Sequence, residues 1–156
     1  MSGHQDLHAV LLVLAGDTLL LPNAAIAEVL SHDRLRPAKD GPAWLAGTIP
    51  YQDRVLRVIR FEILNGGSGD LPSSRRTRVA VLHSMTGRLP TGQYGVVCQG
   101  HPNLVMLNRV ALKPEPRHAS DRADLALARV RIANASAVIP NLELMEAELA
   151  KLDERR

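Results

Sequence analysis

Apolar residues in this chain come in short runs, each closed by turn-forming residues. That spacing restricts the fold more than any other feature. Ala9–Leu14 is an apolar run of six residues, followed by turn chemistry at Gly16-Asp17 and a second run at Thr18–Leu21. Two strands joined at Gly16-Asp17 predict a hairpin, and Pro22-Asn23 ends it. Thr77–His83 and Tyr94–Cys98 predict two more strands, linked by a loop running from Thr86-Gly87 to Gly92. Asn103–Leu112 reads as a strand with a bend, and Arg129–Ile132 with Ala137–Ile139 as a last hairpin turning at Asn134. Strands and helices do not alternate, as a layered parallel sheet requires. The pattern predicts an all-β protein, a barrel or a pair of barrels.

The connecting segments are less uniform. Ala24–Leu30 fits a helical turn with Ile26, Val29 and Leu30 on one face. Ser31–Pro42 is polar, holds two prolines and reads as a loop. Arg54, Arg57 and Arg60 recur every third residue, as on the solvated face of a helix, while Val55, Val58 and Ile59 argue for a strand. The pattern alone leaves both open. Asn65–Asp70 reads as a flexible loop and Lys113–Arg122, with Pro114 and Pro116, as a long one. Leu142, Met145, Leu149 and Leu152 share one face of a C-terminal helix whose other face is acidic. The reading is one domain over residues 9–150, between a flexible N-terminus (1–8) and a polar tail (151–156).

Composition narrows the function classes. At 156 residues and 46% hydrophobic content the chain buries a core without disulfides, and its single cysteine, Cys98, cannot form one internally. Aromatics are only 3%, so Val, Leu, Ile and Ala must build that core. The six-residue run is too short to span a membrane, and no Lys or Arg precedes it as in a secretory signal. A cytoplasmic location without membrane insertion is expected. The net charge of +3 is mild and lacks a basic stripe with interleaved aromatics, which argues against nucleic acid. A sequence pI near 9.5 keeps a small basic β-barrel that binds nucleic acid as the alternative.

Reaction and cofactor motifs are missing: no nucleophile elbow, zinc-protease helix or Walker loop occurs. Gly66, Gly67 and Gly69 do not match a dinucleotide fingerprint and read as a linker. His4 and His8 have helical metal-ligand spacing but lack a third ligand, so no metal is expected. Cys98 reads as a buried inert thiol, with a Cys98–His83 nucleophile as the least poor catalytic option. Asn134-Ala-Ser136 matches a glycosylation triplet but reads as a turn. Trp44 reads as a core filler or, alternatively, an interface anchor. The sequence leaves the oligomeric state open.

Gly41-Pro-Ala-Trp-Leu-Ala-Gly47-Thr-Ile-Pro-Tyr-Gln-Asp-Arg-Val-Leu-Arg-Val-Ile59 resembles the central signature of the CheW-like adaptor family. That signature runs roughly Pro-Ala-aromatic/apolar-apolar-x-Gly-x-Ile-Asn-Leu-Arg-Gly-x-Val-Val-Pro-Val-Ile-Asp-Leu. The resemblance extends from about Ala9 to Leu149 through Val13–Asp17, Ile26–Val29, Tyr94–Gln99 and Val138–Met145, in order. It implies a pair of small five-stranded SH3-like β-barrels with a short C-terminal helix. It also implies a non-catalytic adaptor without cofactor, whose partners are a CheA-type histidine kinase and the cytoplasmic tip of a methyl-accepting chemoreceptor. The receptor would lie in a groove between the barrels, lined by Ile26, Glu28 and Val29 with Tyr51 and Gln52 beside them. The chain departs from the signature where Pro50-Tyr51-Gln52-Asp53 replaces Asn-Leu-Arg-Gly, and again in the strand that follows. Gln52 stands where the family has arginine, Asp53 at its turn glycine, Arg57 at its proline and Arg60 at its aspartate. This divergence resembles the ChpC branch, accessory adaptors of the chemosensory system for type IV pili and twitching motility.

Overall fold

The computed structural model describes residues 7–71, 73–107, 112–132 and 134–154. The strands are β1 (Leu7–Val13), β2 (Thr18–Pro22), β3 (Ile26–Ser31), β4 (Arg36–Pro37), β5 (Leu45–Tyr51) and β6 (Arg54–Ile59). After a single-turn helix α1 (Phe61–Leu64) come β7 (Thr77–His83), β8 (Gln93–Gln99), β9 (Asn103–Leu107), β10 (Leu112–Glu115), β11 (Ala126–Ile132) and β12 (Ala135–Pro140). Helix α2 (Leu142–Glu154) closes the chain. The strands form two six-stranded sheets, ordered β10-β11-β12-β2-β1-β9 and β3-β7-β8-β6-β5-β4. The second sheet is inserted between the first sheet's N-terminal hairpin and its last four strands, which interleaves the two barrels. Each sheet has one more strand than the five expected; in the second, β4 is only two residues long.

The short runs are apolar without alternation because both faces of the central strands are covered. Val10, Leu12, Leu19 and Leu21 of the first sheet meet Ala80, Leu82, Tyr94, Val96 and Cys98 of the second in one core. The intervening residues face the other way. Ala9 and Leu20 fill the first barrel with Val130, Ile132 and Ala137. Val79, Val81 and Val97 fill the second with Ile49, Tyr51, Leu56 and Val58. Met145 and Leu149 of α2 seal the central core. Each fully buried side chain of this kind stabilises by about 1.5–3 kcal/mol, so the seam between the barrels is the largest apolar contribution.

Polar ties brace the first barrel and link it to the second. The guanidinium of Arg129, 3% exposed, donates to Asp17 Oδ1 and Oδ2 at 3.0 and 2.9 Å and to Asp121 Oδ2 and Oδ1 at 2.8 and 2.7 Å. Asn65, which follows α1 in the second barrel's part of the chain, donates to Asp121 at 3.0 Å. Glu146 of α2 is fully buried and accepts from Met85 N at 2.8 Å, Thr86 N at 3.2 Å, Thr86 Oγ1 at 2.8 Å and the Ser84 hydroxyl. Burial opposes its charge, but these donors prevail and hold the carboxyl below its usual range.

Several expectations need correction. Ile26–Ser31 is a strand, not a helical turn; only Asn23–Ala25 is helical, as a 3-10 turn. Pairing with β7 overrides the local period, because Leu30 and Ala27 gain burial in the second barrel. Ser31–Pro42 contains a 3-10 turn at His32–Arg34 and the strand β4. The loop expected from Lys113 begins as β10, which pairs with β11 despite Pro114 because β10 is an edge strand. The acidic face of α2 is not wholly solvated, since Glu146 is buried. The helix runs on to Glu154, so residues 151–154 are helical. His8 lies in β1, where helical metal spacing does not apply, and His4 lies outside the described residues, as do 1–6 of the expected N-terminus and 108–111 of the bent strand.

Arg54–Ile59 is a strand, and Arg54, Arg57 and the following Arg60 do not share a solvated face. Arg54 Nη1 donates to Thr91 O at 2.6 Å and Gln93 Oε1 at 3.0 Å. Arg57 bridges to Asp153 of α2 at 2.6 Å. Arg60 is buried; its Nη1 donates to Gly69 O at 2.8 Å and its Nε lies 3.6 Å from Glu62. Burial pushes the Glu62 carboxyl up, and Arg60 opposes that shift.

Candidate partner-docking site

The β5–β6 hairpin turns through Gln52 and Asp53, between the paired residues Tyr51 and Arg54. Both central residues have left-handed backbone, φ 46° and 63°. This is the geometry of a two-residue hairpin whose preferred sequence is Asn-Gly. Each non-glycine residue there costs about 1 kcal/mol, offset in part by the lower chain entropy of a side-chain-bearing residue. The double change Gln52→Asn with Asp53→Gly is expected to raise stability by about 1 kcal/mol, a thermal shift of about 2–4 °C. An unchanged or lower melting temperature would mean that this turn carries no strain.

The strained turn borders an open concavity of about 860 Å³. Glu28, Val29, Leu30 and Ser31 of β3 form one wall, and Pro50, Tyr51, Gln52, Asp53 and Val55 the other, with Arg34 and Arg54 at the edges. Tyr51 is buried to 9% with its ring in the second barrel's core, while Val55 is 54% exposed. The floor is therefore fixed by packing and the rim carries an apolar contact surface. Chemically the site offers apolar area, amide and carboxylate groups and two guanidinium groups. It fits recognition by surface complementarity.

Four of the five residues singled out in the sequence meet here: Glu28, Val29, Tyr51 and Gln52. Ile26 does not. It pairs with Leu82 and packs on the central core, and a bulge separates it from Glu28. The lining residues lie on β3, β5 and β6 of the second sheet or in the turns that follow β3 and join β5 to β6, so this groove lies on one barrel and not between the two. Sequence reasoning missed Arg34 and Val55. Val55 faces Pro50 across the β5–β6 hairpin, but the arginine spacing around it left its element open in the sequence. Arg34 was not legible, because nothing local brings the turn after β3 to the β5–β6 tip.

Other candidates resolve simply. Cys98 is fully buried, and burial pushes its thiol up to about 12, away from a reactive thiolate. It pairs with Arg78, whereas His83 pairs with Gln93 at the far end of β7, so the two do not meet. Trp44 is half-buried against the central core, and its carbonyl accepts from Arg60 N at 2.7 Å. No group of three or more metal-ligating side chains occurs among the described residues. Among them, no helix is long and apolar enough to cross a membrane.

Two packed barrel-like sheets with a capping helix define a class of paired β-barrel modules. Comparison narrows the class. A family model for the CheW-like domain matches residues 8–148, and the chain belongs to that family. Its structure is similar to the scaffolding protein TtCheW from Thermoanaerobacter tengcongensis, with a TM-score of 0.71 at 15% identity. That match covers 91% of this chain and 89% of the other. No curated protein sequence matches significantly.

Proposed function

We propose that this protein is a non-catalytic cytoplasmic adaptor that couples a chemoreceptor to a CheA-type histidine kinase. One observation carries the reading. In a member of the CheW-like family, Glu28, Val29, Tyr51 and Gln52 converge on a single open groove with a packed floor. An amphipathic helical hairpin laid there gains affinity from a few apolar anchors, Val29 and Val55 foremost. The neutral Gln52 cannot supply the fork of an arginine, so the receptor contact depends more on these anchors than on a charge pair. The departures at Gln52, Asp53, Arg57 and Arg60 favour the pilus-controlling ChpC branch over swimming chemotaxis.

The test is a titration with a CheA-type kinase and a receptor-tip hairpin from the same organism. Val29→Asp is expected to weaken receptor binding at least about tenfold, as an interface anchor does, while kinase binding is kept. Gln52→Arg is expected to strengthen receptor binding at low salt. Absence of any complex with the kinase, with or without receptor, would overturn the adaptor reading. Receptor binding unchanged in Val29→Asp would remove the groove from it.

A further inference from the structure

Positive charge is unevenly divided between the barrels. The stretch from β3 to Gly100 holds ten Lys and Arg against six Asp and Glu, while the rest of the chain holds nine against ten. Within that stretch the arginines differ in how they are neutralised. Arg57 and Arg60 are within 4.0 Å of carboxylates. Among the described residues, Arg34, Arg75 and Arg78 have no carboxylate at that distance.

These uncompensated groups are near one another. A second concavity, of about 500 Å³, is lined by Ser31, His32, Asp33, Ser73, Ser74, Arg75 and Arg78. Arg78 sits opposite Ser31 in the β3–β7 ladder. Its Nη1 donates to the carbonyls of Arg75 at 2.7 Å and Thr77 at 2.9 Å. Carbonyl oxygens fix the guanidinium in place without cancelling its charge. His32 is held too, with Nδ1 3.1 Å from the same Thr77 carbonyl. Asp33 is the one carboxylate in the lining; it is 81% exposed and lies 3.9 Å from His32. This concavity shares Ser31 with the groove between β3 and the β5–β6 turn, and Arg34 borders that groove beside the shared residue.

We propose that this cationic concavity docks an acidic segment of a protein partner, continuing past the apolar anchors of the neighbouring groove. The inference deepens the adaptor reading and rests on it only for the partner's identity. A segment whose apolar residues meet Val29 and Val55 would place following Asp or Glu side chains over Arg34, Arg75 and Arg78. A planar guanidinium already oriented by backbone carbonyls loses little freedom on pairing with a carboxylate. The arrangement adds steering and specificity to a groove whose central position, Gln52, is neutral.

The test uses a fluorescein-labelled oligoglutamate, with an oligothymidylate of equal charge as the second probe. Affinities are read by anisotropy between about 50 and 300 mM salt, a range over which screening of exposed charges becomes strong. Arg34→Glu with Arg75→Glu changes two exposed side chains and should melt like the parent. Arg78→Gln keeps polarity if that double variant proves unstable. Either is expected to weaken oligoglutamate binding at least about tenfold at low salt. Arg88→Glu, on the β7–β8 loop outside the concavity, is expected to leave it unchanged. Oligoglutamate carries no apolar anchor for Val29 or Val55, so its binding reads this surface alone, whereas the receptor-tip titration reads the neighbouring groove. Equal weakening by Arg88→Glu, or no weakening by the concavity variants, overturns the proposal. Tighter binding of oligothymidylate than of oligoglutamate overturns it in favour of a nucleic-acid surface.

Discussion

Replacing Gly47 with alanine is expected to destabilise the protein by about 3–5 kcal/mol, or to prevent folding outright. Gly47 lies on β5, where a bulge interrupts pairing with β6, and its φ of 150° is in a region side chains rarely adopt. A Cβ there would stand 1.9 Å from the carbonyl oxygen of Arg36 and 2.9 Å from the Cα of Pro37. Both obstacles are backbone, so no rotamer change relieves them; β4 would have to leave the sheet. That strand is the edge of the second sheet and pairs with β5, whose end forms one wall of the candidate groove, so receptor binding should fall with stability. Gly95→Ala is the control. Its Cβ would meet Val79 Cγ1 at 2.7 Å and Val58 Cγ2 at 3.0 Å; both valines are fully buried and stiff, so the neighbours must give by a few tenths of an ångström and the cost should be about 2–3 kcal/mol, still below that of Gly47→Ala. Thermal melts decide the matter. At about 2–4 °C per kcal/mol, Gly47→Ala should drop the midpoint by roughly 10 °C. A drop smaller than that of Gly95→Ala would mean that β4 is dispensable.

The fold was legible where burial acts on consecutive residues. The runs Ala9–Leu14, Thr18–Leu21, Thr77–His83 and Tyr94–Cys98 became β1, β2, β7 and β8 because a strand covered on both faces needs no polar alternation. The elements misread were those whose state depends on distant partners. Ile26–Ser31 has a helical period and becomes a strand only because β7 supplies its hydrogen bonds. Lys113–Glu115 looks like a proline-rich loop until β11 lies beside it. Phe61–Leu64 is too short to show a period, and its helical turn follows from burying Phe61 and Leu64 while redirecting the chain out of β6.

The candidate site divides the same way. Glu28, Val29, Tyr51 and Gln52 all follow from the resemblance. Their convergence does not follow, because it depends on curvature of the sheet from β3 to β5. Polar ties were the least legible part. Asp17, Asn65, Asp121 and Arg129 are scattered along the chain, and only the packed barrels bring them together. Glu146 is the exception. It is four residues after Leu142 and three before Leu149, so helical geometry alone puts it within the apolar stripe.

Arg129→Met is expected to cost about 3–5 kcal/mol, because it strands two carboxylates that packing keeps from water. Asp121 is 1% exposed and Asp17 15%, so neither recovers full hydration. The penalty belongs to the unpaired anions, not to lost attraction alone. Arg129→Met combined with Asp121→Asn and Asp17→Asn should therefore recover most of it, since a neutral network of similar shape is often nearly as stable. The pH dependence has a fixed sign. Hydrogen bonds from Arg129 hold the Asp121 carboxyl well below the usual carboxylate range, against the opposing effect of burial. A depressed folded-state value contributes stability that is full above the unfolded value near 4 and is lost as pH falls toward the folded one. In Arg129→Met the same carboxyl is buried without its partner and favours protonation, so acid relieves the variant while weakening the parent. Urea unfolding should thus give the widest gap between the two near pH 7 and a narrowing gap below about pH 4. A gap that stays constant across that range would mean that Asp121 is not the group whose charge Arg129 compensates.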